Sequence, residues 1–149
     1  MTYKDLKHLT EALLIGDVTL TKNNEEFLTL LRYAFERIAN EADALKLFTT
    51  DTPNERIVRN GPGGLFVRMP KIPEFEDEEL DLDEELCFAA ARFICSFIST
   101  AKVDLHLREA SKIINSYNQK VEKFFESLEA SNAFPEDRTN VIYGVRKFS

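Results

Sequence analysis

Between Glu74 and Glu85, in EFEDEELDLDEE, nine of twelve residues are carboxylates, and the chain then turns abruptly apolar in LCFAAARFICSFIS. Carboxylates at this density could do three kinds of chemistry. They could pair as general acid and base, chelate a hard divalent cation, or present a fixed negative surface. A calcium loop needs a glycine turn and a closing Glu at a set spacing, and DLDEE offers neither. Crowded acids beside the proline-bearing connector PKIPEFEDEE read instead as a solvated or interaction surface, carried by Glu76, Asp77, Glu78 and Glu79. No metal ligand set is assigned to them.

Other reactive side chains are sparse. Cys87 and Cys95 stand eight residues apart on one predicted helix, which separates them by ~12 Å along its axis, too far for a disulfide. Two helix thiols without His or a second pair make no zinc site, so both read as buried, reduced thiols. His8 and His106 each fall on a predicted helix with no Ser or Cys partner in view, and read as surface or core-edge residues. GPGG at 61–64 lacks the Lys-Ser/Thr of a phosphate loop and leads into a strand rather than a helix. The sequence therefore points away from an enzyme, with no catalytic residue, cofactor-binding residue or cofactor.

The bulk properties bound the partners. The 149 residues suit one domain, and 44% hydrophobic with 30% charged content suits a soluble globular chain. A net charge of −7 disfavours adhesion to DNA or an anionic membrane, since phosphate binding runs on Lys and Arg displacing counterions. MTYKDLKHLTEALLIG is charged and amphipathic, unlike a signal peptide. No run approaches the roughly 18 apolar residues of a membrane span. Synthesis in a cytoplasm and no membrane association are the expectations.

The elements that must position the acidic block are mainly α. Apolar spacing predicts helices over 2–15, 24–45, 82–100 and 104–130. Gly16 stops the first, and Asn23 with Glu26 forms a capping box for the second. Between 46 and 70 the runs KLFTT, RIVRN and LFVRMP alternate with DTPNE and GPGG, predicting a small inserted β-hairpin or meander. In LFVRMP the side chains Leu65, Val67 and Met69 face the core and Phe66 and Arg68 the other side. The third helix is apolar nearly all round, which places it at the centre of a bundle with Phe93, Ile94 and Phe97 buried. The expected organisation is a four-helix domain over 1–131, with β excursion 46–70 and acidic connector 71–82, followed by an extended C-terminal arm over 132–149.

The order of a short helix, the long helix NEEFLTLLRYAFERIANEADALKLFT, a β excursion, the acidic entry Asp81–Leu86 leading into AARFICSFIS, and a last helix through Glu109–Val121 resembles the head-to-tail connector (adaptor) proteins of tailed bacteriophages. The resemblance implies a structural virion component in the neck, between capsid portal and tail. It implies a dodecameric homo-oligomeric ring beneath the portal, contacting portal and tail or nozzle proteins, through which genome DNA passes without specific binding. Acids on the lumen or at a subunit boundary would then repel phosphates. The arm would reach the portal or a neighbouring subunit through Phe134, Val141, Ile142, Tyr143, Val145, Arg146 and Phe148. The competing class is a small acidic cytoplasmic regulator of DNA-mimic type, with the acidic block as its binding face.

Overall fold

The computed structural model describes residues 1–50 and 56–130. Among these, the architecture is four helices with a small antiparallel sheet inserted between the second and third, the class the hydrophobic periods predict. α1 (Tyr3–Leu13) opens on a reciprocal capping box: the Thr2 hydroxyl accepts the Asp5 amide, and the Asp5 carboxylate accepts the Thr2 amide. It ends before Gly16, whose φ of 83° is a left-handed geometry open to glycine. α2 (Asn24–Glu41) is capped by the Asn23 side chain, which accepts the Glu26 amide at 2.8 Å.

α2 stops four residues earlier than its apolar stripe predicts. In a continued helix the Asp43 and Leu45 amides would bond to the carbonyls of Ala39 and Glu41. Arg59 Nε takes the Ala39 carbonyl at 2.9 Å, and Asn118 Nδ2 takes that of Glu41 at 2.9 Å. The two amides turn instead to Asn118 Oδ1 at 2.8 Å and the Tyr117 hydroxyl at 3.0 Å. Side chains from distant parts of the chain thus satisfy these four backbone groups. Arg59 also supplies the cation that the last turn of α2 lacks.

The chain continues through a 3₁₀ turn into β1 (Phe48–Thr49), then β2 (Ile57–Asn60) and β3 (Phe66–Arg68). β2 and β3 form a hairpin over the GPGG turn, and β1 pairs with the far side of β3, giving the order β1-β3-β2. The hairpin reading holds, whereas a sequential meander would have placed β2 in the middle. Leu65 and Val67 are buried as the alternation predicts, but Arg68 is buried as well. Its guanidinium grips Asp81 with both nitrogens, at 2.5 and 3.1 Å, and donates to the Lys46 carbonyl at 2.9 Å. A bidentate carboxylate makes burial of the cation tolerable.

α3 (Glu84–Ile98) is the central helix, packed against α1, α2 and α4. Leu86, Ala90, Phe93 and Ile94 are fully buried, and each large apolar side chain so removed from water is worth about 1.5–3 kcal/mol. Ala89–Ala91 let neighbouring helices approach closely. Phe97 departs from expectation: it and Phe88 remain 44% exposed, on faces that no other described element covers fully. α4 (Val103–Ala130) buries His106, Ala110, Ile114, Tyr117 and Val121 along one stripe. The turn between α3 and α4 is clasped to the connection after α1 by Asp17, which accepts the hydroxyls of Ser99 and Thr100. The Ser99 hydrogen bond, chiefly, holds the Asp17 carboxyl below its ordinary range.

Candidate functional site

The acidic segment is a built edge rather than a loose hinge. Its backbone runs beside the start of α1: the Tyr3 amide donates to the Glu78 carbonyl at 3.0 Å, the Lys4 amide to that of Glu76 at 2.9 Å, and the Leu80 amide to that of Met1 at 3.0 Å. Leu80 and Leu82 are buried beneath it. Pro70 and Pro73, expected to stiffen an extended connector, are buried too. Asp81 is held by Arg68 and by the Lys71 amide at 2.9 Å. The segment is therefore bonded on both sides, to α1 and to β3.

On this frame Glu76, Asp77 and Glu79 are exposed, and Glu78 is half-buried with one carboxylate oxygen accepting the Glu74 amide at 3.3 Å. Three of the four residues assigned to the surface are thus exposed, and Glu78, bonded to the Glu74 amide, is half-buried. Glu76 pairs with Lys7 at 3.2 Å. Lys7 in turn lies 4.3 Å over the Tyr3 ring. Burial pushes the Tyr3 hydroxyl up to about 12, and its proton is donated to Asn24 Oδ1 at 2.8 Å. The edge is thus tied to the starts of both α1 and α2.

The acids at the start of α3 divide differently than helix-terminus electrostatics alone suggests. Asp83 occupies the N-cap position without capping through its side chain. Its carboxylate instead accepts the Tyr117 hydroxyl from α4. Burial, then this hydrogen bond, raises the Tyr117 pKa, so the phenol stays protonated and donating. Glu84 and Glu85 remain in the first turn, where the helix dipole favours them, and Glu85 bonds Lys120 at 2.9 Å. Of the nine carboxylates, Asp81 and Asp83 are therefore bonded inward to the fold. The outward charge is carried by Glu74, Glu76, Asp77 and Glu79 along the edge and by Glu84 and Glu85 at the start of α3.

His106 corrects the sequence reading. It is 1% exposed, and Arg92 Nη1 lies 3.1 Å from its Nδ1. A guanidinium only donates, so Nδ1 accepts and the imidazole proton sits on Nε2. That nitrogen is buried without a partner among the described residues. Burial, then the neighbouring Arg92 charge, lowers the His106 pKa and keeps the ring neutral. His106 lies four residues before Ala110 and eight before Ile114, both buried on the same face of α4, and nothing local signalled Arg92.

A second surface feature went unread in the sequence. α1, α3 and α4 border a groove of about 430 Å³ with Leu9, Leu13, Phe88 and Ile113 as its apolar floor. Glu85, Arg92, Glu109 and Lys112 stand on its rim. The signal for it was Phe88 and Arg92, four residues apart on α3 and so on one face.

The thiols of Cys87 and Cys95 are buried, and burial pushes both up to about 12, so neither is poised as a nucleophile. Among the described residues no cluster of three or more His, Cys, Asp or Glu is arranged to hold a metal ion, and no helix is long and apolar enough to cross a membrane. Phe134, Val141, Ile142, Tyr143, Val145, Arg146 and Phe148, assigned to partner binding, lie outside the described residues. Comparison with known proteins finds no matching family model, curated protein or solved structure.

Proposed function

We propose that this chain is a structural assembly subunit, a head-to-tail connector of a tailed bacteriophage that joins a ring beneath the portal and lines or borders the DNA channel. The observation that carries the reading is the acidic edge. Glu76, Asp77 and Glu79 project into solvent from a segment whose backbone is fixed by α1 and β3. Fixed carboxylates on a channel wall repel passing phosphates without needing to reorganise. The bundle behind the edge gives such a wall rigidity. Phe75, Tyr33 and Phe97 are exposed at 65, 59 and 44%, and a ring subunit would cover such side chains against its neighbours.

In this reading the residues after Ala130 serve as an arm for the portal or an adjacent subunit, with Ile142, Tyr143 and Phe148 as anchors. The test mixes the full chain with purified portal rings and images the product by electron microscopy. The expected result is a ring stacked coaxially on the portal, lost when Ile142→Asp and Tyr143→Ala are introduced together. A chain that stays monomeric, ignores the portal and instead captures a nucleic-acid-binding enzyme would overturn the connector reading in favour of the DNA mimic.

A further inference from the structure

We propose that the groove between α1, α3 and α4 receives Phe75 of a second copy of this chain, with Glu74 of that copy closing on Arg92. Two surfaces, both built of described residues, carry the inference. The first is the groove. Phe88 is 44% exposed on a helix whose neighbouring positions Leu86, Cys87, Ala89 and Ala90 are buried. With Leu9, Leu13 and Ile113 it makes an apolar floor. The other charges on the rim are matched within the chain: Glu85 pairs with Lys120 at 2.9 Å and Glu109 with Lys112 at 3.3 Å. Arg92 is the exception. Among the described residues its guanidinium forms no ion pair and bonds His106 Nδ1. A guanidinium carries five N–H donors, so a fork remains for an incoming carboxylate. The groove thus suits an apolar side chain with an acid beside it.

The second surface supplies that combination. Phe75 is 65% exposed on the acidic edge, and its backbone is held. Its carbonyl accepts the Glu78 amide at 3.2 Å, and the next carbonyl, that of Glu76, accepts the Lys4 amide at 2.9 Å. Phe75 does not line the groove of its own chain. Carboxylates flank it on both sides. Glu76 is paired with Lys7 at 3.2 Å, whereas Glu74 forms no ion pair among the described residues. The exposed Tyr33 follows Arg32, the exposed Phe124 follows Lys123, and the exposed Phe97 lies between Ser96 and Ile98, so none of these presents an adjacent acid.

Edge and groove therefore complement each other in polarity and charge. They are different patches of one chain, so each copy gives one and receives one, the heterologous arrangement from which rings are built. Phe75 against Phe88 adds an aromatic contact, and an edge that is already fixed loses little freedom on docking. One aromatic knob and one ion pair fall short of the ~800 Å² per partner of a stable complex. The contact is accordingly weak between free chains and gains strength where a partner gathers several copies.

This inference names a contact for the ring of the connector reading, but it rests on the chain's own surfaces and its test contains no portal, so the two can fail separately. A nitroxide is attached to Asp77→Cys of an unlabelled chain, the native thiols being buried. The product is mixed with ¹⁵N-labelled chain at about 1 mM, where a weak contact is populated. Amide signals of Leu9, Leu13, Phe88 and Ile113 in the labelled chain should broaden, more than any on α2. Phe75→Ser on the spin-labelled chain should weaken that association about tenfold, and Glu74→Arg should do the same. Arg92→Glu in the ¹⁵N-labelled chain should abolish broadening by the unmodified edge and restore it with the Glu74→Arg edge. Should Arg92→Glu disturb folding, Phe75→Ser and Glu74→Arg, both at exposed side chains, decide the matter from the edge. Broadening that survives those two substitutions, broadening centred outside the groove, or none at that concentration would each overturn the proposal. A ring stacked on the portal would still sustain the connector reading in all three cases.

Discussion

At the scale of single residues, the strongest commitments of the fold are two buried polar contacts. His106 is held neutral by burial and by Arg92. Because its folded pKa lies below the unfolded value, the unfolded chain takes up a proton first as pH falls. Its contribution is complete at neutral pH and is lost as pH drops below about 6.5 toward the folded pKa. Thermal melts should therefore show stability declining from pH 7 to pH 5. His106→Gln keeps an acceptor for Arg92 but does not titrate, and should flatten that slope. Arg68 and Asp81 provide the second contact. Asp81→Ala strands a guanidinium that is 8% exposed, and should cost about 3 kcal/mol in urea unfolding, as breaking buried ion pairs does. Arg68→Met combined with Asp81→Leu should recover most of that loss, because no charge is then left unpaired.

At the scale of elements, what was legible in the sequence is what is local. The helical stripes of α1, α2 and α4, the Asn23 cap, the Gly16 stop and the change of period between 46 and 70 all depend on residues within a few positions of one another. The end of α2 was not legible, since it is set by Arg59 and by Tyr117 and Asn118, which lie more than seventy residues from the amides they bond. The burial of Arg68 was hidden for the same reason: its alternation pattern was read correctly, but Asp81 was counted among the solvated acids. Phe97 and Phe88 show the converse limit. Hydrophobic content marks α3 as central without saying which of its faces the other helices leave open. Asn118→Ala tests the tertiary stop of α2 directly. It removes two hydrogen bonds at about 1 kcal/mol each and leaves a backbone amide to find water, so a loss of about 1–3 kcal/mol is expected, with faster exchange of the Asp43 amide.

At the scale of the whole molecule, the question is whether the acidic edge serves the fold or something outside it. The answer differs along its length. Asp81 and Asp83 are bonded inward to Arg68 and Tyr117, whereas Glu76 and Glu79 have side chains 63 and 74% exposed. Exposed ion pairs contribute about 0–1 kcal/mol each, and the bonds that tie the edge to α1 run between backbone groups, Tyr3 to Glu78, Lys4 to Glu76 and Leu80 to Met1, while Gln at 78 keeps an acceptor for the Glu74 amide. Replacing Glu76, Glu78 and Glu79 by Gln and Asp77 by Asn should therefore leave the far-UV spectrum intact and shift unfolding by no more than about 2 kcal/mol. The change lifts the net charge from −7 to −3, so a large effect of these four residues should show in the handling of polyanions. On the connector reading proposed above, genome release from particles assembled with the neutralised chain should become slower and less dependent on salt, because the salt-screened repulsion between edge and phosphate has been removed. Calorimetry with Mg²⁺, Ca²⁺ and Zn²⁺ supplies the decisive control. A tight stoichiometric site on the unmodified chain, abolished by the four substitutions, would make the edge a metal site and remove its role as an electrostatic wall.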